Sequence, residues 1–172
     1  HLGKDNEAAV CFDPDLLRMS AGWTGDFLHL RGTPFDGGHG SWPEIKGTQK
    51  FGTRPMPGWA KGDDFKDPRP EPYGVLPAAQ ARYKGLYVHG DRTVLSYTVG
   101  GISVLDSPGY ESDGSLSVFT RTLNIAPHEK EIILQAIEHP VPGGGVADGP
   151  RLIPTGGPAD HTLLMVGELK AE

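Results

Sequence analysis

Leu86-Tyr87-Val88-His89-Gly90-Asp91-Arg92-Thr93-Val94-Leu95-Ser96-Tyr97-Thr98-Val99-Gly100-Gly101-Ile102-Ser103-Val104-Leu105 is the stretch that decides the fold. Two runs rich in β-branched and aromatic residues flank Gly90-Asp91, and a two-residue turn with glycine first suits a type II′ hairpin. Leu95, Tyr97 and Val99 alternate to one face. Gly100-Gly101 can reverse the chain again into residues 102–105, so the stretch predicts a three-stranded antiparallel meander.

Downstream, residues 115–126 read as another strand, with Phe119, Leu123 and Ile125 on one face. Residues 131–138 are ambiguous. Ile133 and Ile137 fit a helix, whereas the β-branched pair Ile132-Ile133 between Pro127 and Pro140 fits a buried strand, and strand is the reading taken. A Gly/Pro-rich connector fills residues 140–158, and residues 161–166 form an apolar strand. No repeat at a propeller-like spacing is visible.

Upstream, Asp13-Pro14-Asp15-Leu16-Leu17-Arg18-Met19-Ser20-Ala21-Gly22 carries the punctuation of a short helix. Asp13 suits the N-cap, Pro14 the first helical position and Gly22 the left-handed stop, with Leu16, Leu17 and Met19 facing the core. A strand is expected near residues 27–30. The fold class expected is therefore all-β: an antiparallel, sandwich-like single domain over residues 1–172, with one short helix near the N-terminus. His1-Leu2, the turn Gly3-Lys4-Asp5-Asn6 and the strand at residues 7–12 read as a hairpin whose first strand is nearly missing. The chain also stops six residues after its last strand, so the sequence is expected to be a fragment of a larger multidomain protein.

The other marked feature is residues 31–82, which hold nine glycines and eight prolines interleaved with Phe35, Trp42, Phe51, Trp59, Phe65 and Tyr73. Long structureless loops are uncommon in compact domains unless functional or disordered. Disordered segments are poor in aromatics, so an ordered surface-building loop is expected.

Composition narrows the partners. A net charge of −6 and a pI near 5.6 argue against nucleic acid, which normally meets a basic patch. No run of 18 apolar residues exists, so no membrane span is expected. Cys11 is the only cysteine, which excludes an internal disulfide, a cysteine-rich zinc site and the two-cysteine attachment of a c-type haem.

Ala9-Val10-Cys11-Phe12-Asp13, Ser20-Ala21-Gly22-Trp23-Thr24-Gly25, Pro34-Phe35-Asp36-Gly37-Gly38-His39-Gly40, Pro57-Gly58-Trp59-Ala60 and Tyr83-Lys84-Gly85-Leu86-Tyr87-Val88-His89-Gly90-Asp91 together resemble a domain of unknown function. That domain occurs in large secreted bacterial proteins that also carry c-type cytochrome and sugar-dehydrogenase-like propeller modules. The resemblance runs from about Ala9 to about Val99 and continues weakly beyond. It implies a periplasmic or secreted location, a multidomain parent and a link to sugar or polysaccharide breakdown, with no established catalytic residues. The haem motif of the companion modules is absent here, so no covalent haem is expected in this segment.

The sharpest local constellation is Asp36-Gly37-Gly38-His39-Gly40. Its glycines allow close backbone approach or positive φ and leave Asp36 and His39 free to converge as a metal or acid/base pair. A tight turn with local Asp36 bonds is the plainer reading. A divalent metal there would need further ligands from elsewhere. Trp42, Trp59 and Tyr73 are candidate platforms for sugar rings, although packing within the segment is the favoured reading for at least two of the three. Asp63, Asp64 and Asp67 share a turn that could offer oxygens to Ca²⁺, or simply be a solvated acidic turn. Asp13 and Asp15 are better explained by capping and the helix dipole than as a glycosidase pair. His89 and Asp91 flank a hairpin tip. His1, as a mature N-terminus, would be able to chelate copper through its amine and imidazole.

The functional expectation is a non-catalytic module that binds carbohydrate or packs against a partner domain of its parent. The alternative is a metal-dependent enzyme segment using Asp36 and His39, with a copper site at His1 as a further variant.

Overall fold

The computed structural model describes residues 1–30, 43–113, 117–141, 145–148, 151–152 and 159–166. The strands are β1 (Ala8–Asp13), β2 (Arg18–Thr24), β3 (Leu28–His29), β4 (Glu44–Ile45), β5 (Thr48–Gly52), β6 (Ala81–His89) and β7 (Arg92–Val99). They continue as β8 (Ile102–Ser112), β9 (Ser117–Ile125), β10 (Leu134–Gln135), β11 (Glu138–Val141), β12 (Gly145–Asp148), β13 (Arg151–Leu152) and β14 (Ala159–Val166). Every pairing is antiparallel. The domain is all-β.

Two five-stranded sheets dominate. One is ordered β14-β9-β8-β7-β6, the other β1-β2-β5-β11-β12. The first contains the meander expected from residues 86–105. Gly90 takes φ 61 and the adjacent Gly100 and Gly101 take 56 and 86, so both turns use the left-handed backbone that only glycine adopts cheaply. Inward residues Leu95, Tyr97 and Val99 from β7 meet Val104 from β8 and Leu123 and Ile125 from β9 in one buried cluster. Aromatics join the sheets: Phe12 stacks on Tyr97 with centroids 6.0 Å apart, and Phe51 meets Phe119 edge-on at 5.2 Å. This is sandwich-like packing.

The expected helix after Asp13 is not formed, and no helix occurs among the described residues. Asp13 does accept the backbone N–H of Asp15 (3.0 Å) and of Leu16 (3.2 Å), the bonds a helix cap makes. A tight turn makes the same bonds, so they cannot select between the two. The choice falls to the flanking strands. Leu17 takes φ 51, reversing the chain, and Arg18 enters β2, which pairs with β1 from Asp13↔Arg18 back to Ala8↔Thr24. Arg18 fastens the turn, donating Nε to Asp13 (3.1 Å) and Nη1 to the Thr53 carbonyl (2.7 Å). Leu16, Leu17 and Met19 are buried as expected, but by a hairpin. Gly22 is also no helix stop. A Cβ there would lie 2.0 Å from the Phe51 ring, so the glycine lets β2 and that ring approach.

Within residues 31–82, β4, β5 and a bridge from Trp59 to Leu134 are formed. Residues 31–42 lie outside the described residues. No described helix is long and apolar enough to cross a membrane.

Candidate functional site

Asp106 and Arg121 project from neighbouring strands into the core, and both are fully buried. Arg121 donates Nε to both Asp106 oxygens (3.0 and 2.9 Å) and Nη2 to Oδ2 (2.6 Å). Tyr97 Oη donates to the same Oδ2 at 2.9 Å. Burial, reinforced by the Asp106 charge, pushes the Tyr97 phenol well above its usual range, while Arg121 works in the opposite sense. Burial opposes the Arg121 charge, but Asp106 more than offsets it and the guanidinium is held ionised. Perturbed titrating groups in a cleft suggest chemistry. These three are fully buried, where a hydrogen-bonded ion pair serves structure, although Arg121 Nη1 has no hydrogen-bond partner among the described residues.

Trp59 belongs to the same interior. It is 2 % exposed and tilts against Tyr97 at 6.2 Å. The backbone around it forms a strand-like link: Gly58 N–H donates to the Leu16 carbonyl, Ala60 N–H to Ile133, and Gly58 accepts from Gln135. A Cβ at Gly58 would sit 2.3 Å from the Leu17 carbonyl oxygen. Trp23 is likewise buried, its indole N–H donating to the Asp26 and Phe27 carbonyls (3.2 and 3.1 Å). The Trp-Thr-Gly and Pro-Gly-Trp-Ala motifs are thus structural joints.

Of the three candidate platforms, Trp59 takes the packing role, Tyr73 is 73 % exposed, and Trp42 lies outside the described residues. Asp36 and His39 also lie outside them. The His1 ring packs on Phe27 with centroids 4.2 Å apart. Among the described residues no group of three or more His, Cys, Asp or Glu side chains is placed to hold a metal. In the acidic turn, Asp67 is engaged by Arg69 through Nε (2.9 Å) and Nη2 (2.7 Å). Those hydrogen bonds hold its carboxyl below the usual range. Asp64 accepts the Lys66 backbone N–H.

Sequence reasoning missed a polar groove of about 530 Å³ where the β6–β7 turn, the N-terminal turn and strands β8 and β9 meet. Hydroxyls of Ser107, Thr120 and Thr122 line it, with carboxylates of Asp91 and Glu111 and cations Lys4 and Arg92 around them. Tyr110 also borders it, but its ring packs on the core side, edge-on against Phe119 at 5.0 Å. Gly109 gives the Thr120 hydroxyl its room, since a Cβ there would lie 2.5 Å from Oγ1. The hint was the outward row Ser107, Thr120, Thr122 on strands whose inward row is buried.

A second pocket, about 360 Å³ and mainly apolar, lies where the Pro14–Leu17 turn, residues 75–78 and the start of β6 converge. Val75, Leu76 and Tyr83 line it beside Asp15 and Arg82. No curated protein and no solved structure matches the chain significantly. Residues 10–106, more than half of its length, match the family described as a domain of unknown function, DUF6797, and the chain belongs to that family.

Proposed function

We propose that this domain is a non-catalytic module that binds neutral carbohydrate for an extracytoplasmic sugar- or polysaccharide-processing parent. The observation that carries the reading is the groove between β8, β9 and the β6–β7 turn. Sugars present vicinal hydroxyls that both donate and accept, so their sites need carboxylates and guanidinium forks together with hydroxyl partners. Asp91, Glu111, Arg92, Ser107, Thr120 and Thr122 supply that mixture. The charges are mixed in sign, which suits a neutral ligand better than an anionic one. The setting rests on the motif resemblance to modules of large secreted bacterial proteins.

Titration calorimetry against soluble neutral polysaccharides tests this. Binding is expected to change little with salt, and Arg92→Ala and Glu111→Gln are each expected to weaken it about ten-fold with the thermal midpoint unchanged. A screen without a hit, or binding indifferent to both substitutions, would sink the proposal.

A further inference from the structure

Strand β6 is the last strand of its sheet among the described residues, so its outer rim of backbone N–H and C=O groups has no strand beside it there. Its two halves differ. Residues 82–85 carry the usual protections of an edge: Arg82, Lys84 and a register shift between Tyr83 and Gly85. The half that follows carries none. Leu86, Tyr87 and Val88 are 52, 65 and 68 % exposed and contain no charge, proline or bulge. Three consecutive exposed apolar residues on an open edge form a template for strand addition.

We propose that β6 accepts an extended segment of a partner polypeptide that alternates apolar and acidic residues. Three observations identify the occupant. Backbone pairing along residues 86–89 requires an extended chain. Leu86 and Val88 share one face of the strand and call for apolar residues at every second position. Arg82 and Lys84 form no ion pair among the described residues, so they offer carboxylates a counter-charge on a chain whose net charge is −6. The apolar pocket at the start of β6 continues the track, with Val75, 71 % exposed, on its wall beside Arg82 and Tyr83.

The test uses the intact chain and a capped octapeptide of alternating glutamate and valine. Fluorescence anisotropy gives the affinity, and amide shifts locate the site. Saturable binding is expected, with shifts concentrated at residues 81–89. A lysine–valine octapeptide, and a glutamate–valine one with a central proline, should each bind at least about ten-fold more weakly. The double substitution Leu86→Ser, Val88→Ser, which removes the apolar contact without adding charge, should weaken binding similarly while the thermal midpoint holds, because both side chains are exposed. No shifts at millimolar peptide, or equal binding of the lysine–valine peptide, would overturn the proposal. Self-association in sedimentation that the double substitution abolishes would give the edge to a second copy, and would overturn it equally.

Discussion

The middle and the outer end of the β6–β7 ribbon obey one alternation and meet opposite fates. Leu86 and Leu95 face each other across the two strands and point to the same side, yet Leu95 is 5 % exposed and Leu86 is 52 %. The pairing of β7 with β8 reaches only from Leu95 to Val99, while that with β6 continues out to Arg92. Beyond Leu95 the ribbon overhangs its own sheet. Burial therefore reports what covers a residue rather than the pattern it belongs to. At the covered end the cover is complete enough to enclose a charged pair, and at the open end it leaves three apolar residues in water.

The largest effect should come from breaking the enclosed pair. Arg121→Ala leaves the Asp106 carboxylate buried alone and is expected to cost roughly 3–5 kcal/mol in denaturant unfolding. The double replacement Asp106→Leu, Arg121→Leu should recover most of that loss. If the single variant is near wild type, water reaches the pair and the covered end is not sealed.

The facing leucines sharpen the contrast. Leu95→Ala should cost about 2–5 kcal/mol, as truncations in packed cores do. Leu86→Ala should stay within about 0.5 kcal/mol, as surface changes do. Equal losses would show that the outer end is covered in solution.

Alkali probes the same enclosure more gently. The folded Tyr97 phenol titrates above its unfolded value of about 10. Its contribution to stability is therefore complete below pH about 10 and is lost as pH rises from there towards the folded value. Tyr97→Phe should lower stability at neutral pH, by removing a donor from Asp106, and flatten the alkaline loss. A slope unchanged by that substitution would exclude Tyr97 as its source.

The smallest effect belongs to the Asp67–Arg69 pair. Asp67 is held below its usual range by Arg69, so its contribution is present above pH about 4 and lost as pH falls through the folded value. Asp67 keeps 27 % of its side chain exposed while Arg69 keeps 7 %, so the pair is only partly screened and Arg69→Ala should cost about 1 kcal/mol at neutral pH. A larger loss would place Arg69 among the core supports.

The meander was legible because glycines at 90, 100 and 101 and the alternation of β7 report on local backbone alone. The hairpin around Asp13 was not, since its capping bonds are common to a turn and a helix, and the partner strand decided. Strand β8 was expected to end at Leu105 but runs to Ser112. Asp106-Ser107-Pro108-Gly109 reads locally as a turn, and only the pairing with β9 holds it extended. For the same reason the buried pair escaped notice. Arg121 stands between Phe119 and Leu123 on an otherwise apolar row, a signal that gains meaning only once Asp106 is known to face it. The groove needed three separate segments to converge, which no single stretch encodes.

The order of strands in the two large sheets carries a kinetic consequence. In the meander, neighbours in space are neighbours in sequence, joined through two-residue turns. The other sheet closes by bringing β5 to β11, where the Arg54 backbone N–H meets the Glu138 carboxylate at 2.9 Å across 84 residues. Closing so long a loop costs chain entropy before its contacts form, whereas a meander can zip from its turns. Truncating Val99 should therefore slow refolding, and truncating Ile137 should mainly hasten unfolding, in stopped-flow measurements on either side of the transition. The reverse assignment would place the nucleus in the discontinuous sheet. On this route the ribbon that ends in Leu86, Tyr87 and Val88 assembles early and stands uncovered from the first steps of folding.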